Sequence, residues 1–492
     1  MENKTLSASV KALEKATSDI KAFLENIVDD ESFVETDVFL TGKSFDSADE
    51  ALGEGVVTGY ATMGGNPVHI FAQNANVLKG SLSDAHANKI YKCMQRAIKS
   101  GTPLISIIDS CGARVGEGAS IMEGYAKLIA GSFDVADEVP HICIVKGAAV
   151  GMMATFVAGA DFVFMSKDAI MSVNSPMYLV SDAKSFPVDY KAQLGYKAYE
   201  GASDMAQFVY NDAKDLAKQL QKLTSTLLSD EGEPADDPNR VDPKLEKAIS
   251  AKERTSLVCD KNSVIEYCPA YAKEVVCSLA KLNGLSVGVV ATEGQYISEK
   301  GIEKATSFIE KLEAYNIPLV TLVDSMGIDS TIGQEVAGFA KKTSALMKTI
   351  ALSTIPKIGV AVGNAVGYAY SALMSKSIGF DYTLATSNAV VAPVGMDVNK
   401  VIANDQIKEL KKKVKETSEN SDIDANALEK AMKYFEKVMA KLEIKGKSVE
   451  EAYAEMQSNP LVAAKDGYID NVIEATNLRP YLSSALLMVL GL

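Results

Sequence analysis

The chain alternates between two hydrophobic rhythms. Short runs such as "PLISIID" (103–109), "HICIV" (141–145) and "DFVFMS" (161–166) are almost unbroken apolar segments, as expected of strands covered on both faces. Between them, "SIMEGYAKLIAGSFD" (120–134) spaces its apolar residues three and four apart, which predicts a helix, and "MMATFVAGA" (152–160) predicts a short apolar one. The opening "MENKTLSASVKALEKATSDIKAFLE" reads as an amphipathic helix. Strand, glycine-bearing turn, helix and strand in that order predict an α/β fold.

The pattern is then written a second time, at an offset of about 215 to 220 residues. "GTPLISIIDSCGARVGEG" (101–118) faces "NIPLVTLVDSMGIDSTIGQE" (316–335), which places Asp109 over Asp324. "GADFVFMSKDAIMSVNSP" (159–176) faces "GFDYTLATSNAVVAPVG" (379–395), and "GYATMGGNPVHIFAQN" (59–74) faces "SLAKLNGLSVGVVATE" (278–293). Two tandem domains are expected, 1–240 and 241–492, joined by the acidic, proline-bearing 227–246. The charged stretch 400–457 reads as solvated helices inserted into the second half, or as a coiled arm.

At the centre of each half lies a small apolar segment: "KGAAVGMMATF" (146–156) and its twin "GNAVGYAYS" (363–371). A strand ending in a glycine turn at a helix start leaves N–H groups without intrahelical partners. Such donors can hold a developing oxyanion. The expected donors are Gly151 and Met152 in the first half, and Gly367, Tyr368 and Ala369 in the second. The competing reading is that these glycines only allow close packing of helix on strand. Asp109 and Asp324 close their strands and are expected to cap the turns that follow.

Composition narrows the chemistry. Apolar residues make up 47% and charged ones 23% of 492 residues, a globular mixture. A net charge of −14 argues against nucleic acid as a partner, and no run is long enough for membrane insertion. Six cysteines without C-x-x-C spacing predict neither disulfides nor a metal site, and a cytoplasmic protein. Only three histidines exist, and His141, at the start of a strand, is expected to be structural. "TGKS" (41–44) and "KGKS" (445–448) lack the first glycine of a phosphate loop, and "KAMKY" (430–434) sits in a helical run unlike a biotin-bearing hairpin.

Several motifs together resemble one family. "IIDSCGARVGEG" resembles D-S-G-G-A-R-I-x-E-G, and "KGAAVGMMATF" resembles G-P-C-A-G-G-A-V-Y. "VDSMGIDSTIGQE" is similar to D-x-P-G-F-x-x-G-x-x-Q-E, and "GNAVGYAYSALM" to R-K-A-Y-G-G-A-Y. These are motifs of the carboxyltransferase subunits of biotin-dependent acyl-CoA carboxylases, decarboxylases and transcarboxylases, such as propionyl-CoA carboxylase and methylmalonyl-CoA decarboxylase. The resemblance covers about 28–492.

It implies two crotonase-like domains in a hexamer, a trimer of dimers. An acyl-CoA would bind in the first half, and carboxybiotin, borne by a separate biotin carboxyl carrier protein, in the second. A biotin carboxylase or membrane decarboxylase subunits would complete the complex, with no metal required. The thioester enolate would lie against the Gly151 and Met152 amides, and the biotin ureido oxygen against those of Tyr368 and Ala369. Gly112, Ala113, Arg114, Gly147 and Ala148 would line the acyl side, with Gly327, Gly367 and Ser371 as further substrate contacts. Arg114 is equally expected to make a structural contact to Glu117 or Asp109. Cys111, Met152 and Tyr368 stand where the family has glycine, so their side chains must turn away or reshape the pocket. A hydratase-like enzyme, using one pocket and paired carboxylates, and a non-catalytic acyl-CoA-binding scaffold are the competing functions.

Overall fold

The computed structural model describes residues 6–42, 51–176, 179, 189–228, 236–247, 249–419, 429–430, 433, 454–455 and 457–492. The chain divides into two compact units, Met1–Asp230 with Tyr267–Tyr271, and Glu231–Glu266 with Ala272–Leu492.

In the first unit, helix α1 (Leu6–Glu25) precedes an eight-stranded sheet. Its strands are β1 (Val34–Thr36), β2 (Val56–Met63), β3 (Asn66–Gln73), β4 (Leu104–Ser110), β5 (His141–Val150), β6 (Phe162–Ser166), β7 (Ile170–Ser172) and β8 (Phe208–Tyr210). They run in the order β1-β2-β3-β4-β5-β6-β8, with β7 beside β5. β2 and β3 form an antiparallel hairpin, and β3 through β6 are parallel. Parallel neighbours need crossovers, supplied here by helices α2 (Asp84–Ser100), α3 (Ser120–Glu138) and α4 (Met152–Ala158). Helices α5 (Tyr190–Leu194), α6 (Tyr196–Tyr199) and α7 (Ala213–Leu228) complete the unit.

The second unit repeats this plan. Helix α8 (Ala251–Val258) accompanies strands β9 (Ile265–Tyr267), β10 (Val275–Leu282), β11 (Leu285–Thr292), β12 (Leu319–Ser325), β13 (Lys357–Val366), β14 (Tyr382–Thr386), β15 (Val390–Ala392) and β16 (Asn471–Ile473). Their order is β16-β14-β13-β12-β11-β10-β9, with β15 beside β13, so every strand has its counterpart in the first sheet. The crossing helices are α9 (Glu299–Ala314), α10 (Ile332–Val336), α11 (Phe339–Leu352) and α12 (Tyr368–Leu373). The insertion expected over 400–457 begins as α13 (Met396–Glu419), a 24-residue polar helix with exposed pairs such as Lys413–Glu409. Most of 420–456, which carries the rest of that expected insertion, lies outside the described residues.

Serine side chains cap two of the crossing helices. Ser83 Oγ accepts the His86 N–H at 2.9 Å to start α2, and Ser298 Oγ accepts the Gly301 N–H at 3.1 Å to start α9. In the first unit, Ile90 and Met94 of α2 and Leu128 and Val135 of α3 pack on Ile108 and Cys143 of the sheet, all buried. Phe156 seats α4 edge-on against Phe71 (5.9 Å) and His141 (5.3 Å), a burial that contributes roughly 1.5–3 kcal/mol for the phenylalanine. His141 Nε2 lies 2.8 Å from Ser106 Oγ, and burial holds the ring neutral with its pKa lowered to about 3, as suits a structural histidine.

Candidate active site

The strand expected over 141–145 continues to Val150, because β5 changes neighbour part-way along. Residues 142–145 pair with β6, whereas 148–150 pair with β7. On its other edge the register against β4 jumps from Ile108↔Val145 to Ser110↔Ala149. β13 does the same: 358–361 pair with β14, 364–366 with β15, and the register against β12 jumps from Val323↔Ala361 to Ser325↔Ala365. Each expected small-residue segment begins within one of these bulges.

The aspartates facing these bulges do not cap the turns after their own strands. Asp109 Oδ1 accepts the Ala148 N–H at 3.1 Å, and Oδ2 accepts from Lys146 Nζ at the same distance. Asp324 Oδ1 accepts the Asn364 N–H at 2.9 Å and its side-chain amide at 3.3 Å. The carboxylates therefore bond across to the neighbouring strand. A Cβ at Gly147 or Gly363 would fall on them, which is why both positions are glycine.

Beyond the bulges, Gly151 (φ 71°, ψ −140°) and Gly367 (φ 53°, ψ −117°) turn the chain directly into α4 and α12. Neither helix start has a side-chain cap. The Gly151 N–H donates to Ser172 O and the Gly367 N–H to Ala392 O, both at 2.9 Å. This corrects the expectation that the two glycine amides are open donors: they close the pairing with β7 and β15. The Ala154 N–H reaches Gly151 O at 3.0 Å, and the Ser371 N–H reaches Gly367 O at 3.1 Å. Helix geometry leaves Met152 and Met153 in one turn, and Tyr368 and Ala369 in the other, without intrahelical acceptors.

The two bulky replacements behave differently. Tyr368 turns away onto α11, where its hydroxyl donates to Thr343 O at 2.7 Å, and burial raises its pKa. Met152 is 42% exposed and stands in the open beside its turn. Cys111 is the one exposed cysteine of six.

Gly112 (φ 109°) and Gly327 (φ 110°) are also twins. Their N–H groups donate to Ser110 Oγ and Ser325 Oγ, each at 3.2 Å, and a Cβ would stand 3.5 Å from Val150 O and 3.6 Å from Val366 O. Ala113 is exposed and bridges to Leu82. The Arg114 guanidinium bonds Glu54 at 2.8 Å, Glu117 at 3.3 Å and Ser81 O at 3.2 Å. The expected contact to Glu117 is present; Glu54 stands where Asp109 was the alternative. Glu54 is fully buried, at φ 59°, and also accepts from Ser83 and from the Gly42 N–H. No motif pointed to it.

A cavity of about 470 Å³ opens beside the second turn, lined by residues including Gly367, Tyr370, Ser371, Ser375, Pro393 and Tyr468. Ser371 is exposed, and its hydroxyl donates to Gly367 O at 3.2 Å. Among the described residues, no cluster of His, Cys, Asp or Glu is placed to hold a metal, and no helix is long and apolar enough to cross a membrane.

Two sheets of this kind in tandem, each with a strand that swaps partners and breaks at glycine into a short helix, are a pair of crotonase-like domains. The chain belongs to the family described as the carboxyl transferase domain, whose model matches residues 20–490. It is 29% identical to the methylmalonyl-CoA decarboxylase subunit alpha of Veillonella parvula, over 95% of this chain and 89% of that one. It is 28% identical to the propionyl-CoA carboxylase beta chain of Roseobacter denitrificans, over 93% of this chain and 88% of that one. Among solved structures it is similar to transcarboxylase 12S, described as a hexamer and solved with hydrolysed methylmalonyl-coenzyme A. There the TM-score is 0.82 at 27% identity, with 98% of this chain and 92% of that one covered.

Proposed function

We propose that this chain is the carboxyltransferase subunit of a biotin-dependent acyl-CoA carboxylase, decarboxylase or transcarboxylase. It moves carboxylate between carboxybiotin on a separate carrier protein and the α-carbon of a short acyl-CoA, of the acetyl/propionyl or malonyl/methylmalonyl type. The carrying observation is that one chain of the carboxyl transferase family builds the same strand–glycine–helix site twice, as a reaction between two carbonyl-bearing ligands requires.

In the first unit the Met152 and Met153 amides hold the thioester oxygen as negative charge develops on it. Preorganised donors of this sort contribute about 2.7–4 kcal/mol each. Gly151 supplies the backbone conformation that aims them, and Gly112, Ala113, Gly147 and Ala148 are the proposed wall of the acyl side. Arg114 braces that wall through Glu54.

In the second unit the cavity beside Gly367 fits a group of biotin's kind. Tyr370 and Tyr468 offer flat apolar surface, and Ser371 and Ser375 offer hydroxyls, next to the Tyr368 and Ala369 amides that take the ureido oxygen. Biotin, when delivered there, carries the carboxyl group; the chain's own residues bind, orient and exclude water. Gly327 keeps the strand end beside it close-packed. The subunit works in the cytoplasm, in keeping with six free cysteines, as a hexamer built from three dimers. Its direction is set by its companions, biotin carboxylase for synthesis or membrane decarboxylase subunits for the reverse.

The test is to incubate the purified chain with free biotin and malonyl-, methylmalonyl- or glutaconyl-CoA. Biotin-dependent loss of the carboxyl group from one of them is expected. No turnover with any, together with no thioester binding, would overturn the enzymatic reading.

A further inference from the structure

The two units share a feature that the transfer reaction does not itself use. In each, one aspartate sits where the central strand changes neighbour, held from three sides. The Asp109 N–H donates to Gln73 Oε1 at 3.2 Å, and the Asp324 N–H to Thr292 Oγ1 at 2.7 Å; Gln73 and Thr292 are the last residues of β3 and β11. Each carboxylate accepts the N–H of the first residue in register with the new neighbour, Ala148 or Asn364. The glycine before that residue has no room for a side chain.

The counter-charges differ. Lys146 Nζ lies 3.1 Å from Asp109 and comes from the bulge itself, whereas the buried Arg254, on α8, approaches Asp324 at 4.0 Å. Position 362, the counterpart of Lys146, is a valine. Two halves that reach the same carboxylate geometry with unrelated cations conserve the carboxylate bond rather than the ion pair.

We infer that Asp109 and Asp324 are positioning residues, each fixing the bulge that aims the amides of the glycine turn three residues further along. The path is short and covalent. Asp109 bonds Ala148, Ala148 through Val150 pair with β7, and the Gly151 N–H closes on Ser172 before α4 begins. Asp324, Asn364, β15, Ala392 and Gly367 make the same chain of contacts ahead of α12. Without the carboxylate, the Ala148 or Asn364 N–H loses its acceptor and the bulge is free to shift. Misplacing a reacting group by about 1 Å can cost about a hundredfold in rate.

This inference rests on the proposed transfer reaction, and the experiment separates the two. Asp109→Ala and Asp324→Ala are compared with the Asn variants, which keep an Oδ1 acceptor, in biotin-dependent decarboxylation of the thioester the wild type turns over. The Ala variants should lose roughly a hundredfold in kcat, with KM changed only a few-fold and the melting temperature largely kept, and the Asn variants should recover most of the rate. Hydrogen exchange read by mass spectrometry needs no turnover. It should quicken across 146–153 in Asp109→Ala and across 362–369 in Asp324→Ala, and not elsewhere. Full activity in the Ala variants, or exchange unchanged in those segments, would overturn the inference. An Ala variant that does not fold is replaced by Gly147→Ala or Gly363→Ala, which crowd the same carboxylates; if these also fail to fold, the aspartates serve folding and the inference is wrong. A wild type that turns nothing over refutes the reaction but leaves the exchange result to decide this point.

Discussion

Replacing Gly151 with alanine separates the two roles a glycine turn can have. At φ 71° and ψ −140° the residue lies close to a region that is essentially reserved for glycine, where another residue costs about 1–3 kcal/mol. The added methyl group meets no atom within 4 Å, so no clash adds to that cost. A domain reserve of roughly 5–15 kcal/mol absorbs it, and the protein stays folded. Strain is relieved by rotating φ, which swings the Met152 and Met153 amides away from their line. If those amides hold the thioester oxygen, losing one costs about 2.7–4 kcal/mol of transition-state stabilisation, or 10²–10³ in kcat. Biotin-dependent decarboxylation, assayed beside thermal melting, should therefore show a large fall in kcat and a melting shift of only a few degrees. A folded Gly151→Ala protein with wild-type kcat would return Gly151 to a packing role.

Gly367→Ala should destabilise more than Gly151→Ala, because its Cβ would come within 3.1 Å of Pro393 O; thermal melting of the pair checks the order. Arg479→Ala should cost about 3–5 kcal/mol in urea unfolding, since the buried guanidinium donates to Asp260 at 2.6 Å and to Val258 O at 2.7 Å, and its loss strands a buried carboxylate. His86 and His141 are buried neutral, both with pKa lowered to about 3. The unfolded chain takes up protons below about pH 6.5 that the native state refuses, so stability should fall as pH drops from there towards 3, by up to about 1.4 kcal/mol per pH unit for each ring. Denaturant midpoints from pH 7.5 to 5 read that slope, and His141→Asn should make it shallower.

The α/β class and the doubling were legible because run length and apolar spacing are local properties of the chain. What stayed hidden depended on partners distant in sequence. The strand beginning "HICIV" was cut short at 145 since the following Lys-Gly-Ala-Ala has little strand character; it remains a strand only because β7 and Asp109 offer new partners. The Gly151 N–H read as an open donor because nothing local shows that Ser172 O, on a neighbouring strand, takes it up. Whether Tyr368 turns away or reshapes the pocket is decided by α11, which gives its hydroxyl an acceptor. The aspartates were recognised as twins, but a residue at a strand end resembles a cap until the neighbouring strand is in place. Glu54 sits in a left-handed turn that no local pattern announces.

A protein that passes a carboxyl group between a thioester and biotin must move that carbon from one to the other. The most direct test follows the label: the purified protein is given carboxyl-labelled methylmalonyl-CoA and free biotin, and the biotin fraction is trapped and counted. Label should appear on biotin in step with the decarboxylated thioester, and both should fall about 10²–10³-fold in Gly151→Ala. Label released at the same rate without biotin, or none released while the thioester binds, would contradict that transfer.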